Sequence, residues 1–195
     1  MIVGLDLDGV LYNFGDSVKR FLEETDRGHL WKSGPTPTPF WDFYKDWGWT
    51  NDQFVEMCNE GVDAGVIFHG RPRPHAVDAV WKIKNDGHAL VVITDRQFGT
   101  TPKASHDATI EWWNYCGFPS YDKIVFSADK TVVKTDIFVE DKLSNYDAIT
   151  KAGTECWLIN RAWNIVDDGD SRNRINGIEE FPEKVRTCLI TNILV

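Results

Sequence analysis

Met1-Ile2-Val3-Gly4-Leu5-Asp6-Leu7-Asp8-Gly9-Val10-Leu11 opens the chain as an apolar run broken by two acids and a glycine. Residues 2–5 are short, continuous and apolar, which reads as a strand buried on both faces. Asp6 and Asp8 are two apart, so on extended backbone both side chains face the same way. That spacing suits one carboxylate acting as nucleophile while the other carries a proton. Gly9 lets the chain turn without a side chain crowding the acids. A surface Asp-x-Asp-Gly turn is the plain alternative. A calcium loop is rejected, because Val10, Tyr12 and Phe14 stand where further oxygen ligands would be needed.

Moving outward, Phe14, Val18, Phe21 and Leu22 recur at helical spacing. Between about 26 and 50 the pattern dissolves into Gly, Pro and aromatics: Trp31, Gly34 to Pro39, Phe40, Trp41, Phe43, Tyr44, Trp47 and Trp49. Thr50-Asn51-Asp52 is placed to cap a helix carrying Phe54, Val55 and Cys58. From Pro74 the rhythm is regular. A helix through Val77, Val80, Trp81 and Lys84 closes at Asp86-Gly87, and the strand Ala89 to Ile93 runs into Thr94-Asp95-Arg96. A helix through Ile110, Trp112, Trp113 and Cys116 follows, then short strands at 123–126, 136–140 and 156–159. Strands alternating with helices predict an α/β fold, a Rossmann-like parallel sheet flanked by helices. Residues 26–69 read as a small, mainly helical cap inserted in a core made of 1–25 and 70–195.

Composition narrows the function. A formal charge of −9 argues against a protein that grips long nucleic acid through a basic face. Cys58, Cys116, Cys156 and Cys188 are far apart, so reduced thiols are expected rather than a zinc site. No apolar stretch reaches membrane-spanning length and no basic leader precedes one, so a cytoplasmic location is expected.

Ligands of open parallel sheets collect at the carboxyl ends of the strands. Asp6, Asp8, Thr94, Glu140 and Asp141 all fall there. Four acids brought together need a cation and a lysine, for which Lys130 and Lys134 are the candidates. Arg96 offers a fork to phosphate or to a leaving group, a solvated arginine being the alternative.

In order along the chain, Asp6-Leu-Asp8-Gly, Val-Val-Ile-Thr94, Asp129-Lys130-Thr-Val-Val and Asp136-Ile-Phe-Val-Glu140-Asp141 resemble the four motifs of the haloacid dehalogenase superfamily of phosphotransferases. The Asp-Lys-Thr-Val-Val segment with its acidic pair is similar to that of the 5′(3′)-deoxyribonucleotidases, and it selects Lys130 over Lys134. The resemblance implies a Mg²⁺-dependent phosphomonoesterase acting through an aspartyl-phosphate on Asp6, with Asp8 as general acid and base. Thr94 and Lys130 would hold phosphoryl oxygens. The metal would lie on Asp6, the Asp8 backbone carbonyl and Asp141, with Glu140 behind them in place of the usual Asp.

The implied substrate is a small phosphate ester, a (deoxy)nucleoside monophosphate. Phe14 matches an aromatic that stacks on the base, and Arg71-Pro-Arg-Pro-His-Ala-Val77 resembles the segment that places Phe68 near the pocket. Trp41 and Phe43 belong to the aromatic hood over the leaving group. Asp95 and Arg96 follow Thr94 at the substrate, although Asp95 stands where the family carries serine. Trp47 and Trp49 are expected in the core of the insertion, and Trp112, Trp113 and Trp157 in structural roles. The segment from Thr94 also resembles the phosphatase domain of polynucleotide kinases, which acts on 3′-phosphate ends, but no kinase motif accompanies it. A nucleotide-binding module without turnover is the rival of another class. A homodimer is left open.

Overall fold

A computed structural model describes residues 1–31, 43–166 and 169–193. The first strand, β1 (Ile2–Leu5), lies inside a six-stranded sheet. It pairs in parallel with β2 (Ala89–Thr94), Val3 opposite Leu90, and with β4 (Ile137–Glu140), Gly4 opposite Phe138. β3 (Lys123–Phe126) extends the β2 side, while β5 (Glu155–Ile159) and β6 (Arg174–Ile175) extend the β4 side. The order is β3-β2-β1-β4-β5-β6, every pair parallel, so the expected Rossmann-like sheet is present.

Gly4 is small for a reason. A Cβ there would stand 2.1 Å from Phe138 Cδ2, so the neighbouring strand's ring occupies its place.

The period of two divides the strand residues between two cores. Val3, Leu5, Leu90, Val92, Ile137 and Val139 face one side, with α1 (Phe14–Glu24), α3 (Ala76–Asn85), α4 (Pro102–Tyr115) and α6 (Phe181–Ile193) contributing to that core. Val91, Ile93, Phe138 and Leu158 face the other, covered by Tyr146 and Ile149 of α5 (Leu143–Lys151). Burial on both faces explains why these strands read as unbroken apolar runs. α1 buries Phe14, Ser17, Val18, Phe21 and Leu22, the face its spacing predicts. β6, α5 and α6 had no clear signature, being short or weakly patterned.

Between α1 and α3 lie two 3₁₀ turns, Gly28–Leu30 and Phe43–Trp47, and α2 (Asn51–Asp63). Thr50 caps α2 by a reciprocal box: its hydroxyl accepts from Gln53 N–H and its own N–H donates to Gln53 Oε1. Trp31, Phe43, Trp47, Trp49 and Phe54 pack ring on ring at 5.4–6.4 Å between centroids. Phe54 belongs to the main core, and Trp31, Phe43, Trp47 and Trp49 pack against that core rather than forming a separate one. Trp41 lies outside the described residues.

Among the described residues no helix is long and apolar enough to cross a membrane. All four cysteines are free thiols.

Candidate active site

The sheet reverses its direction of growth at β1: the chain builds out to β2 and β3, then crosses back to β4. Such a switch point opens a crevice at the carboxyl ends of the two strands concerned. Asp6 leaves β1 there, its N–H tied to Val139 O at 3.2 Å on β4. The amides of Val10, Leu11 and Tyr12 then converge on Leu7 O at 2.8–3.1 Å, a tight turn that carries Asp8 and Gly9.

Gly9 has φ +83°, and a Cβ on it would stand 2.0 Å from Asp141 Oδ2. Backbone conformation and space both exclude a side chain. The turn thereby closes against the acid that follows β4.

Three buried carboxylates meet in this crevice. Asp6, Glu140 and Asp141 each offer an oxygen within 4.8 Å of the others. Lys130 Nζ donates to Asp6 Oδ1 at 2.7 Å and to Ile93 O at 2.8 Å. It arrives on the turns between β3 and β4, a crossover without a helix.

Burial, chiefly, pushes the Asp6 and Asp141 carboxyls well above the usual carboxylate range, and the acids' mutual repulsion adds to it. Glu140 is raised to about 8 by burial, then by the charge of Asp141. For Lys130, burial works against the ammonium, but Asp6 and Glu140 outweigh it and hold its pKa above the ordinary lysine value. One lysine does not neutralise three acids.

Two buried atoms in the same place lack a hydrogen-bond partner, Glu140 Oε2 and Thr94 Oγ1. Glu140 Oε1, by contrast, accepts the N–H groups of Asp141 and Lys142 at 3.2 and 3.0 Å. An all-oxygen, over-acidic cluster with an unpartnered carboxylate oxygen fits a hard divalent cation.

A brace from the segment after β5 holds Asp141. Trp163 Nε1 donates to Asp141 Oδ2 at 2.8 Å, and Asn164 Nδ2 donates to Asp141 O at 2.6 Å. Arg161 Nε donates to Gly9 O at 2.6 Å, tying the same segment to the first turn.

A cleft of about 220 Å³ opens over these groups. Its floor is Asp6, Asp8, Lys130, Glu140 and Asp141, and its wall is Phe14, Phe54, Phe68 and Phe98. Phe14, Phe68 and Phe98 lie 6.1–6.3 Å apart between ring centroids. A charged floor under an aromatic wall suits an anion joined to a flat apolar group.

A family model for "5' nucleotidase, deoxy (Pyrimidine), cytosolic type C protein" matches residues 1–174. The chain belongs to this family.

It is therefore a phosphoric monoester hydrolase of the 5′-nucleotidase type. A Chlorobaculum tepidum protein provisionally named a 5′(3′)-deoxyribonucleotidase is 26% identical over 151 residues, covering 74% of this chain and 71% of that one. A Bacillus cereus protein provisionally named a nucleotidase is 26% identical over 133 residues, covering 68% and 67%. Among solved structures, a haloacid dehalogenase-like family hydrolase from Streptococcus pneumoniae superposes with a TM-score of 0.61 at 14% identity, covering 96% of this chain and 97% of that one. At that identity the likeness speaks for the fold.

In this nucleotidase the residues expected from sequence divide into three sets. Asp6, Asp8, Lys130, Asp141 and Glu140 come together at the floor, and Phe14, Phe68 and Asp95 line the cleft. Thr94 ends β2 fully buried beside them. The carboxylate of Asp8 is not one of the three clustered acids, because it turns to Arg96. Glu140 lies as near the cluster as Asp141 does, whereas the sequence placed it behind.

Arg96 and Phe43 are not on the cleft. Arg96, expected at the substrate, is fully buried and holds Asp8; Phe43 packs on Trp31, Trp47 and Phe54. Five residues of the cleft were not anticipated: Phe54, read as helix core, together with Phe98, Ala128, Lys142 and Asn145. Nor were Trp163 and Asn164. Phe98 sits in a polar loop without periodicity, and Trp163 reaches Asp141 from 22 residues away. No local pattern marks either.

Proposed function

We propose that this enzyme is a Mg²⁺-dependent phosphomonoesterase that works through an aspartyl-phosphate on Asp6 and takes nucleoside monophosphates. The observation that carries the reading is the meeting of Asp6, Lys130, Glu140 and Asp141 under a wall of four phenylalanines.

Asp6, Asp141 and Glu140 Oε2 would hold the ion, with the Asp8 backbone carbonyl. Bound there, Mg²⁺ supplies positive charge against the acids and the phosphate dianion. The Asp6 carboxylate attacks phosphorus, the ester P–O bond breaks, and Asp8 gives a proton to the leaving oxygen. Asp8 then takes a proton from water, whose oxygen attacks phosphorus and frees Asp6 and inorganic phosphate. Lys130 keeps its charge in the crevice and meets the charge that develops on the phosphoryl oxygens. The phenylalanine wall excludes water and offers faces for a base, each stacking contact contributing about 1–3 kcal/mol.

The test is phosphate release from nucleoside 5′- and 3′-monophosphates, sugar phosphates and 3′-phosphorylated oligonucleotides, with Mg²⁺ and with EDTA. Mononucleotides should lead, and EDTA should stop release. Asp6→Asn should fold and release no phosphate. Full activity in Asp6→Asn removes the nucleophile, and a preference for oligonucleotide ends replaces the substrate class.

A further inference from the structure

Arg96 is a large cation in the protein's interior whose position bears on the chemistry without touching the cleft. It follows Thr94 at the end of β2 and its side chain has no solvent exposure. Nε donates to Asp8 Oδ2 and Nη2 to Asp8 Oδ1, both at 2.9 Å, a two-pronged fork. The guanidinium lies 4.6, 4.2 and 5.3 Å from the ring centroids of Tyr12, Phe68 and Trp112. Nη1 donates to Thr109 Oγ1 at 3.3 Å.

The box is itself pinned, since Trp112 Nε1 donates to Gly70 O at 2.8 Å and Gly70 N–H to the Tyr12 hydroxyl at 3.1 Å. Three rings and a threonine thus fix the guanidinium plane, and the plane fixes the carboxylate. The last torsion of an aspartate is soft and otherwise lets the two oxygens rotate. Asp8 remains partly exposed, and it lines the cleft on its other side. A group that must give a proton to one oxygen and take one from another needs this orientation held.

We propose that Arg96 is the positioning residue for Asp8 in both proton transfers. This rests on the reading above, in which Asp8 carries the proton. Arg96 touches no substrate. It sets the plane in which the Asp8 oxygens meet the leaving group and the water.

A leaving group's need for a proton gives the test. p-Nitrophenolate departs without one, whereas a nucleoside alkoxide does not. Arg96→Lys keeps the charge and loses the fork; Arg96→Ala opens a guanidinium-shaped hole between the rings. For Arg96→Lys we expect kcat/KM on a nucleoside monophosphate to fall roughly 10- to 100-fold, a part of what general acid catalysis contributes. On p-nitrophenyl phosphate kcat/KM should fall less than about threefold, with a burst of p-nitrophenol before slow turnover, because water attack still needs Asp8. Added guanidinium ion should restore part of the nucleotide rate in Arg96→Ala but not in Asp8→Asn.

Equal losses on both esters, with no rescue and a lowered melting point, make the fork a structural ion pair and overturn the proposal. A wild-type enzyme that forms no acid-stable phospho-enzyme overturns the reading beneath it instead.

Discussion

Gly9→Ala probes the closest approach in the site, between the first turn and Asp141. Two effects add. At φ +83° an alanine is in the left-handed region, at about 1–2 kcal/mol. Its Cβ would also stand 2.0 Å from Oδ2 and 2.4 Å from Cγ of Asp141, so the carboxylate must move by more than an ångström. That carboxylate is buried and held by Trp163 at 2.8 Å, and losing a hydrogen bond to a charged group costs about 1.5–3 kcal/mol.

The sum is about 2.5–5 kcal/mol, or roughly 5–20 °C in melting temperature for a chain of this size. Gly153→Ala separates the two effects. Gly153 has φ +84° with nothing within 4 Å of its would-be Cβ, so it carries the strain without the collision. Melting scans should place Gly153→Ala about 1–2 kcal/mol below wild type and Gly9→Ala well below that. A calorimetric Mg²⁺ titration should show weakened binding only in Gly9→Ala. Equal melting points for the two variants, with Mg²⁺ bound as in wild type, would refute the contact between Gly9 and Asp141.

Trp163→Phe removes the indole donor to Asp141 while keeping a ring; Mg²⁺ affinity should drop about 10- to 100-fold, measured by calorimetry, and unchanged affinity would make the brace incidental. Without metal, stability should fall as pH rises. Asp6, Glu140 and Asp141 titrate above the usual carboxylate range when folded, so the folded form binds protons that the unfolded chain has released. Urea midpoints should therefore decline from about pH 4 toward pH 8, a decline that saturating Mg²⁺ should flatten; a metal-free midpoint that rises over this window contradicts the acid cluster. Phe14→Ala and Phe98→Ala should each reduce kcat/KM for nucleotides about five- to a hundredfold while sparing p-nitrophenyl phosphate. Equal losses on both esters would assign these rings to the core.

What the sequence determined by itself is what local geometry dictates. A short apolar strand followed by Asp6 and Asp8 puts both acids at its end, and Gly9 permits the turn. Helical spacing named the buried face of α1, and two-faced burial made the strands legible as unbroken apolar runs. Lys130 was chosen over Lys134 by motif, and in the fold Lys130 is buried on Asp6 while Lys134 is exposed.

Arg96 marks the limit. Its neighbours in sequence leave it free to meet phosphate, solvent or an acid, and that choice needs Asp8 from 88 residues away. It also needs rings from positions 12, 68 and 112, which only the packed sheet and helices bring together. The same holds for Phe98 and Trp163, each set by partners distant in the chain. Sequence pattern records a residue's own backbone and face. The identity of a long-range partner is a property of tertiary packing, and a buried charge makes that identity decisive, because it must find its counter-charge wherever the fold puts one.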